Sequence, residues 1–297
     1  MNQSTNFVVP QQIVSANITA AKGKTELSLV RMILLGIFAG MFIACGASAS
    51  SVAMHAIPNV GLARLVAGCV FPIGLMMIVF VGGELFTGDC LMIMGCMHKK
   101  FSLLSMTKVL IVVWVSNLLG SVILAALVST SGQFHYSSDL LGAFTIKVGL
   151  GKVGLDFGTA FVSGILCNIF VCIAVLMAAA AKDIVGKVFA IFFPILAFVV
   201  SGYEHCVANM YYIPAAIFAA ADPAYVQAAQ NAYGYTANQL EALNWGNFFV
   251  NNLIPVTLGN IAGGMVFVGL PLYLIHSAKI REEEAQAKVA EKKKKAA

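Results

Sequence analysis

The stretch FAIFFPILAFVVSGYEHCVANMYYIPAAIFAA, residues 189–220, contains a short polar run, GYEHCVAN at 202–209, between two apolar flanks. Each flank alone is too short to cross about 30 Å of hydrocarbon, whereas the two together have about the required length. The polar run is therefore expected near the membrane midplane. Ionisable groups such as Glu204 and His205 are costly at that depth and usually line a cavity or a path. The pattern predicts a membrane helix that is broken at its centre.

The composition is that of a membrane protein. Hydrophobic residues make up 60% of the 297 residues and charged residues only 10%, with a mean hydropathy of +0.88. A soluble domain of this composition would expose too much apolar surface. We predict an all-α polytopic membrane protein with six transmembrane helices, at residues 29–54, 62–97, 105–130, 157–181, 187–219 and 248–276.

The second span is also expected to be broken. Its 36 residues are too many for one straight crossing, and GGELFTGD at 82–89 interrupts them. Glu84 corresponds to Glu204, and Asp89 then corresponds to Asn209, five residues further on in each case. A break at this depth exposes backbone groups that lipid cannot satisfy, so both breaks must be buried in protein or line water. The amide groups at the start of each half-helix would favour an anion.

The two halves of the chain repeat one pattern. SNLLGS of the third span, with Asn117 and Gly120, matches GNIAGG of the sixth span, with Asn260 and Gly263. With three spans in each half, the halves must run in opposite directions through the membrane. This predicts an inverted 3+3 repeat, in which broken helices meet at a central site.

The charges predict the topology and three segments. Basic residues precede the first span, lie between spans two and three and between spans four and five, and follow the sixth. The positive-inside rule then places both termini in the cytoplasm. The protein itself is expected in the cytoplasmic membrane. We predict an N-terminal segment with a short interfacial helix (1–28), a channel domain (29–278) and a charged tail (279–297). The tail is expected near anionic lipid and not on nucleic acid.

The sequence predicts no enzyme chemistry. It has no phosphate loop, no His-Glu-x-x-His zinc pattern and no Gly-x-Ser-x-Gly nucleophile elbow, so no cofactor and no metal site are expected. The seven cysteines all lie in apolar segments and are interpreted as packing residues. A structural role without transport would leave two broken helices unexplained.

GGELFTGD, SGYEHCVANM and NNLIPVTLGN, in this order, resemble motifs of the formate/nitrite transporter family. The resemblance extends through all six spans. It implies a homopentamer with an aquaporin-like helical protomer, in which each protomer holds its own pore for a small monovalent anion of a weak acid.

The resemblance also implies roles for individual residues. Leu75 matches the family's cytoplasmic constriction and Phe198 its outer constriction. The central histidine matches His205, with two hydrogen-bond neighbours, Thr87 and Asn260.

On the outer side, the family's lysine matches Lys152, placed sixteen residues before Asn168. Lys147 is a rival for this role. Glu204 and Asn209 complete the candidate pore residues, and Glu204 is interpreted as a structural group that caps loop amides or pairs at an interface, in preference to a proton carrier.

These residues predict a mechanism. We expect Lys152 to attract the anion and His205, which titrates near neutral pH, to donate a proton to it or to bind it as imidazolium. Anion and proton would pass the constrictions together, or the anion alone would pass when His205 is charged. The alternative for His205 is a hydrogen-bonded structural histidine. Leu75 and Phe198 would otherwise be core residues, and Thr87 and Asn260 would satisfy broken backbone.

Formate is the leading substrate prediction. Nitrite and hydrosulfide are the nearest alternatives, and lactate or acetate are further ones. A neutral-solute channel of the aquaporin type is a different class of function, disfavoured because paired Asn-Pro-Ala signatures are absent. The stretch at 220–245 is predicted to form a short helical cap on the outer side.

Overall fold

The computed structural model describes residues 6–296, and apart from one isolated β-bridge between Phe7 and Ala181 its regular structure is helical. Residues 1–5 and 297 of the predicted terminal segments lie outside this range. Within it, six helices are long and apolar enough to cross a membrane, as predicted. The unbroken spans are α2 (Leu29–Met54), α7 (Leu103–Thr130) and α9 (Phe157–Ala180).

The second span consists of short helices. They are α3 (Val60–Val70), α4 (Ile73–Val81), α5 (Phe86–Asp89), a 3-10 turn (Cys90–Met92) and α6 (Ile93–Met97). The break at 82–85 begins at Gly82, whose φ of 104° is accessible to glycine without steric cost. It ends at Leu85, whose backbone is extended (φ −108°, ψ 118°).

The fifth span has a break at the matching position, which also begins at a glycine of positive φ and ends at an extended residue. Here α10 (Ile184–Ser201) and α11 (Cys206–Ala219) are separated by residues 202–205. Gly202 is left-handed with φ 74°, and His205 is extended with φ −109° and ψ 116°. His205 therefore occupies the position that Leu85 holds in the second span. Both predicted breaks are present.

The sixth span contains two wide helical segments. It runs through α14 (Trp245–Asn247), a π-helix (Phe248–Leu253), α15 (Ile254–Ala262) and a second π-helix (Gly263–Gly269). It then continues as α16 (Leu270–Ala296), so the predicted tail is a helical extension of the span.

Close backbone contacts confirm the inverted repeat. A Cβ added to Gly120 would lie 2.0 Å from the carbonyl oxygen of Ile37, so α7 and α2 pack backbone to backbone. A Cβ added to Gly263 would lie 2.3 Å from the carbonyl oxygen of Ile165, which is the matching contact between spans six and four. Small residues are what allow membrane helices to approach so closely.

Two further helices form a related pair outside the spans. α1 (Pro10–Thr25) is the predicted N-terminal helix, and it buries Val14, Ile18 and Ala21 against the protein. α8 (Leu140–Val153) lies on the opposite side and was not predicted, because its buried residues include the continuous run 141–146 and so give no one-sided helical periodicity. Each ends a few residues before a span, α1 before α2 and α8 before α9.

The molecule has two polar faces. The terminal face carries α1, residues 98–102 and the tail, where the Glu284 carboxylate contacts Lys100 Nζ at 2.9 Å and His98 Nε2 at 3.1 Å. The cap face carries residues 131–139 and the loop after α11. That loop forms α12 (Pro223–Tyr233) and α13 (Ala237–Leu240), so the predicted helical cap is present.

Candidate functional site

A cavity of about 810 Å³ opens on the cap face and extends inward to Phe198 and His205. Lys152, Glu204 and Asn209 also line it. Five of the nine predicted site residues thus share one cavity. The other four, Thr87, Asn168, Asn260 and Leu75, lie behind its wall or below it and are buried.

Aromatic rings form the inner end of the cavity. Phe198 is buried and packs edge-on against Phe71, with ring centroids 5.6 Å apart, and its ring lies 6.1 Å from that of His205. Phe71 was missed by sequence reasoning, since one phenylalanine among 20 carries no local signal. Leu75 is buried one helical turn further along the second span. An entering solute meets apolar carbon on one side and the imidazole on the other.

The His205 side chain has a defined tautomer. The backbone N–H of Ala208 donates to Nδ1 at 3.0 Å, so this nitrogen is an acceptor. In a neutral ring Nε2 then carries the hydrogen, which it donates to Thr87 Oγ1 at 2.8 Å. The Thr87 hydroxyl hydrogen is left to point toward another acceptor. Protonating Nδ1 would place two N–H donors against each other, so an imidazolium here requires the Ala208 bond to break.

In the described structure the Asn260 side chain makes its hydrogen bonds to backbone groups and not to the imidazole, which corrects the expectation that it hydrogen-bonds His205. Its Oδ1 accepts the Cys206 N–H at 2.9 Å. Its Nδ2 donates to the carbonyls of Gly164 at 2.8 Å and Glu204 at 3.0 Å. Asn260 thus satisfies the broken backbone on both sides of His205, because lipid supplies no alternative partner.

Asn117 does the same at the other break. Its Oδ1 accepts the Phe86 N–H at 3.0 Å, and its Nδ2 donates to the carbonyls of Gly36 at 2.8 Å and Glu84 at 2.9 Å. The first amide of each half-helix is therefore bonded to an asparagine. The expectation that these particular N–H groups are free to attract an anion is wrong.

Asn168 holds the Thr87 loop in place. Its Nδ2 donates to the backbone carbonyl of Thr87 at 3.1 Å and to that of Asn260 at 2.6 Å. The Cys172 thiol donates to the same Thr87 carbonyl at 3.5 Å. Asn168 is fully buried and positions Thr87 instead of lining the cavity. All seven cysteines are free thiols.

On the cap side, Lys152 is paired with Glu204. Its Nζ lies 2.9 and 3.0 Å from the two carboxylate oxygens. Asn209 Nδ2 donates to the same carboxylate at 2.6 Å and to Asn252 Oδ1 at 2.7 Å, and Asn252 in turn donates to the Lys152 carbonyl at 3.0 Å. We call Lys152, Glu204 and Asn209 the cap cluster. Glu204 is thus the ion-pair partner of Lys152.

Other cations line the cavity nearer its opening. Lys147 lies over the ring of Tyr233, 4.5 Å from its centroid. The Arg64 guanidinium packs against Gly202, where an added Cβ would lie 2.6 Å from it. Both side chains face the cavity. Arg64, Lys147 and Lys152 therefore all line one vestibule on this side.

The terminal side has a matching cluster, which sequence reasoning missed. Lys24 contacts a carboxylate oxygen of Glu84 and donates to Asp89 Oδ1 at 2.7 Å. Burial alone would lower the pKa of Lys24, but the charges and hydrogen bonds of Asp89 and Glu84 raise it above its ordinary value. We call these three residues the terminal cluster. The sequence did contain a signal for this cluster. Lys24 lies five positions before the first residue of α2, and Lys152 lies five positions before the first residue of α9.

The chain was compared with known proteins. Residues 11–274 match the family model described as formate/nitrite transporter. A probable formate transporter of Methanothermobacter thermautotrophicus is 37% identical over 281 residues, which cover 89% of this chain and 95% of that protein. The formate channel FocA of Haemophilus influenzae is 38% identical over 212 residues, which cover 71% of this chain and 73% of that protein. A solved pentameric formate channel with formate bound superposes with a TM-score of 0.74 at 35% identity, covering 84% of this chain and 97% of that one.

Proposed function

Because the chain belongs to the formate/nitrite transporter family, we propose that it conducts a small monovalent weak-acid anion, with formate as the favoured substrate, in a pH-dependent manner. The family's members are transporters, so the protein is a membrane transport protein and not an enzyme. Formate is favoured because it is the solute in the printed names of the relatives and of the solved channel. We further propose a homopentamer, following the solved channel, with one pore in each protomer.

One observation carries this proposal. The cavity from the cap face ends at Phe198 and at the His205–Thr87 hydrogen bond, which lies between the two helix breaks. Polar groups that can bind an anion are thus placed next to an apolar constriction. Leu75 is assigned to the corresponding constriction on the terminal side.

The constrictions determine which form of the substrate crosses. An ionised carboxylate loses its hydration between Phe198 and Phe71, and uncompensated burial of a charge costs far more than burial of the neutral acid. Protonation of the anion near the constriction therefore lowers the barrier. The vestibule cations Lys152, Arg64 and Lys147 raise the local anion concentration in the cavity that leads to this constriction.

His205 is assigned the proton exchange. In its neutral form it supports the Thr87 hydroxyl, whose hydrogen is available to the substrate anion. When a proton reaches Nδ1, the Ala208 N–H is displaced and the imidazolium becomes a partner for the anion or a proton donor to it. The pH dependence of transport would then include the titration of this ring.

Counterflow in liposomes tests the substrate. We expect labelled formate to exchange faster than labelled nitrite or hydrosulfide, in proteoliposomes and not in empty liposomes, with a rate that depends on pH. Osmotic water flow without any anion exchange would contradict the proposal and favour a neutral-solute channel.

Replacing the histidine tests its proton role. His205→Phe keeps an aromatic ring but removes both nitrogens, so we expect formate transport to lose most of its pH dependence. His276→Phe, near the terminal end of the sixth span, is the matched control and should keep the wild-type profile. A His205→Phe protein with an unchanged pH profile would show that the imidazole takes no part in proton exchange.

The positive-inside rule supports the sidedness. Lys99, Lys100 and the tail lysines lie on the terminal face, so we assign this face to the cytoplasm and the cap face to the outside of a cytoplasmic membrane. Both termini are then cytoplasmic.

A further inference from the structure

The terminal cluster and the cap cluster occupy equivalent positions but differ in charge. In the cap cluster Lys152 faces one carboxylate, that of Glu204, and the neutral amide of Asn209. In the terminal cluster Lys24 faces two carboxyl groups, because Asp89 stands where the repeat has Asn209. With every group ionised, the cap cluster is neutral and the terminal cluster carries one excess negative charge.

The excess charge is buried. Asp89 is 2% exposed and Glu84 is 8% exposed. Asp89 Oδ1 accepts from Lys24, whereas Asp89 Oδ2 is buried and has no hydrogen-bond partner among the described residues. An ionised carboxylate oxygen without a donor is expensive in such surroundings, whereas a protonated one is not.

The other groups around Asp89 do not balance the charge. The charged side chains that act on it are Lys24 from α1 and Glu84 from the same break. The thiols of Cys90 and Cys172 face it as neutral groups. Beyond Thr87 lies His205, whose ring is neutral as long as its Nδ1 accepts the Ala208 N–H.

We propose that the terminal cluster is a proton-binding site that controls entry of the anion from the terminal face. A proton taken from water on that face binds to a carboxylate oxygen of the Asp89–Glu84 pair, since two carboxylates that share a site favour binding one proton between them. The cluster is then neutral and admits the anion. When the proton is released, the excess negative charge repels the anion from this entrance.

The difference between the clusters makes this control one-sided. The cap cluster has no second carboxyl group, so it binds no equivalent proton. Acidification of the terminal side should therefore promote anion movement from that side, beyond any effect of the central histidine, which both sides share. This inference rests on the proposed function.

Sided membrane vesicles test the inference. Inverted vesicles present the terminal face to the bath and right-side-out vesicles present the cap face; labelling of Gln286→Cys on the tail with an impermeant maleimide verifies the orientation. The initial rate of labelled formate uptake is measured while the bath pH is varied and the internal pH is fixed. Each variant is compared with wild type at the same pH, so the fraction of formate that is protonated cancels.

Asp89→Asn gives the terminal cluster the composition of the cap cluster. In inverted vesicles we expect wild-type uptake to fall about tenfold more than Asp89→Asn uptake as the bath becomes alkaline, a typical size for coupling between two bound ligands. Glu84→Gln also leaves the terminal cluster with one carboxyl group, in this case that of Asp89, and should have the same effect. The test therefore stays valid if one of the two variants fails to assemble.

Asn209→Asp is the mirror variant. It gives the cap cluster a second carboxyl group, so right-side-out vesicles should show a bath-pH dependence beyond that of wild type on this face. A wild-type protein without extra pH dependence on its terminal face, or assembled Asp89→Asn and Glu84→Gln proteins that keep the wild-type profile, would overturn the inference. Absence of formate flux in wild-type vesicles of both orientations would instead contradict the proposed function.

Discussion

Asn117 and Asn260 are the residues on which the two breaks depend. Each asparagine satisfies one backbone N–H and two carbonyls with a single amide side chain. An amide group with one acceptor and two donors is the only common side chain that does this without introducing a charge. Their shared position in the repeat was visible in the sequence, and support of the broken backbone was the alternative role given for Asn260, whereas the same role of Asn117 was missed.

Replacing either Asn117 or Asn260 by leucine should destabilise the protein, and the two losses should be similar in size. Asn117→Leu and Asn260→Leu each leave three buried backbone groups without partners, at about 1–3 kcal/mol per group. We expect a large fall in Tm or loss of the assembled protein in detergent, measured by size-exclusion chromatography after heating. Asn231→Leu, on exposed α12, is the control and should leave Tm unchanged. A Tm of wild-type value in either buried variant would show that the breaks have other support.

At the scale of the helices, two pairs of spans pack backbone against backbone. Spans one and three, and spans four and six, are joined by backbone contacts at Gly120 and Gly263, and these contacts hold the asparagines beside the breaks. Even a methyl group cannot be accommodated there, because the atom it would meet is a backbone oxygen and not a flexible side chain. Packing of this kind fixes the distance between helices more strictly than larger side chains would.

Gly120→Ala should therefore separate α2 from α7. The added Cβ would lie 2.0 Å from the Ile37 oxygen, so relief requires helix movement, and overpacking typically costs about 1–3 kcal/mol or more. We expect a lower Tm and slower formate transport. The control is Gly151→Ala in α8, where no atom lies within 4 Å of the added Cβ and helix propensity gains about 0.5–1 kcal/mol. A fall in Tm for Gly151→Ala equal to that for Gly120→Ala would contradict the packing explanation.

At the scale of the whole molecule, the clusters, the breaks and the supporting asparagines form one arrangement that occurs twice in opposite directions. The outward surface of the spans is apolar, with residues such as Leu104, Val250 and Leu274 more than half exposed. Lipid and neighbouring protomers together would cover this surface. The proposed pentamer can be tested directly by counting the chains in the purified particle.

Native mass spectrometry of the detergent-solubilised protein should give five chains per particle, each of 31.4 kDa. The hydrophobic surface that lies between protomers is shielded from detergent, so the pentamer should persist without cross-linking. If each protomer holds its own pore, as proposed, formate flux per wild-type chain should not change when wild-type protomers are mixed with inactive ones. A monomeric particle with full transport activity would contradict the pentamer.

Much of this architecture was predictable because the thickness of the bilayer and the lack of hydrogen-bond partners in lipid constrain short stretches of sequence. Apolar runs of the right length, polar interruptions at mid-depth and left-handed glycines at Gly82 and Gly202 are all properties of short stretches, since lipid leaves backbone groups no partner outside the protein. The six spans, both breaks and the inverted repeat were therefore accessible from the residues alone.

The tertiary structure decided which distant residues share a charge or a hydrogen bond. Lys24 lies 65 positions from Asp89, and Lys152 lies 52 positions from Glu204. Asn260 contacts the backbone beside His205 and not its ring, and Ala208 determines the tautomer of that ring. These contacts depend on angles and distances between whole helices, and the order of residues along one helix does not contain them.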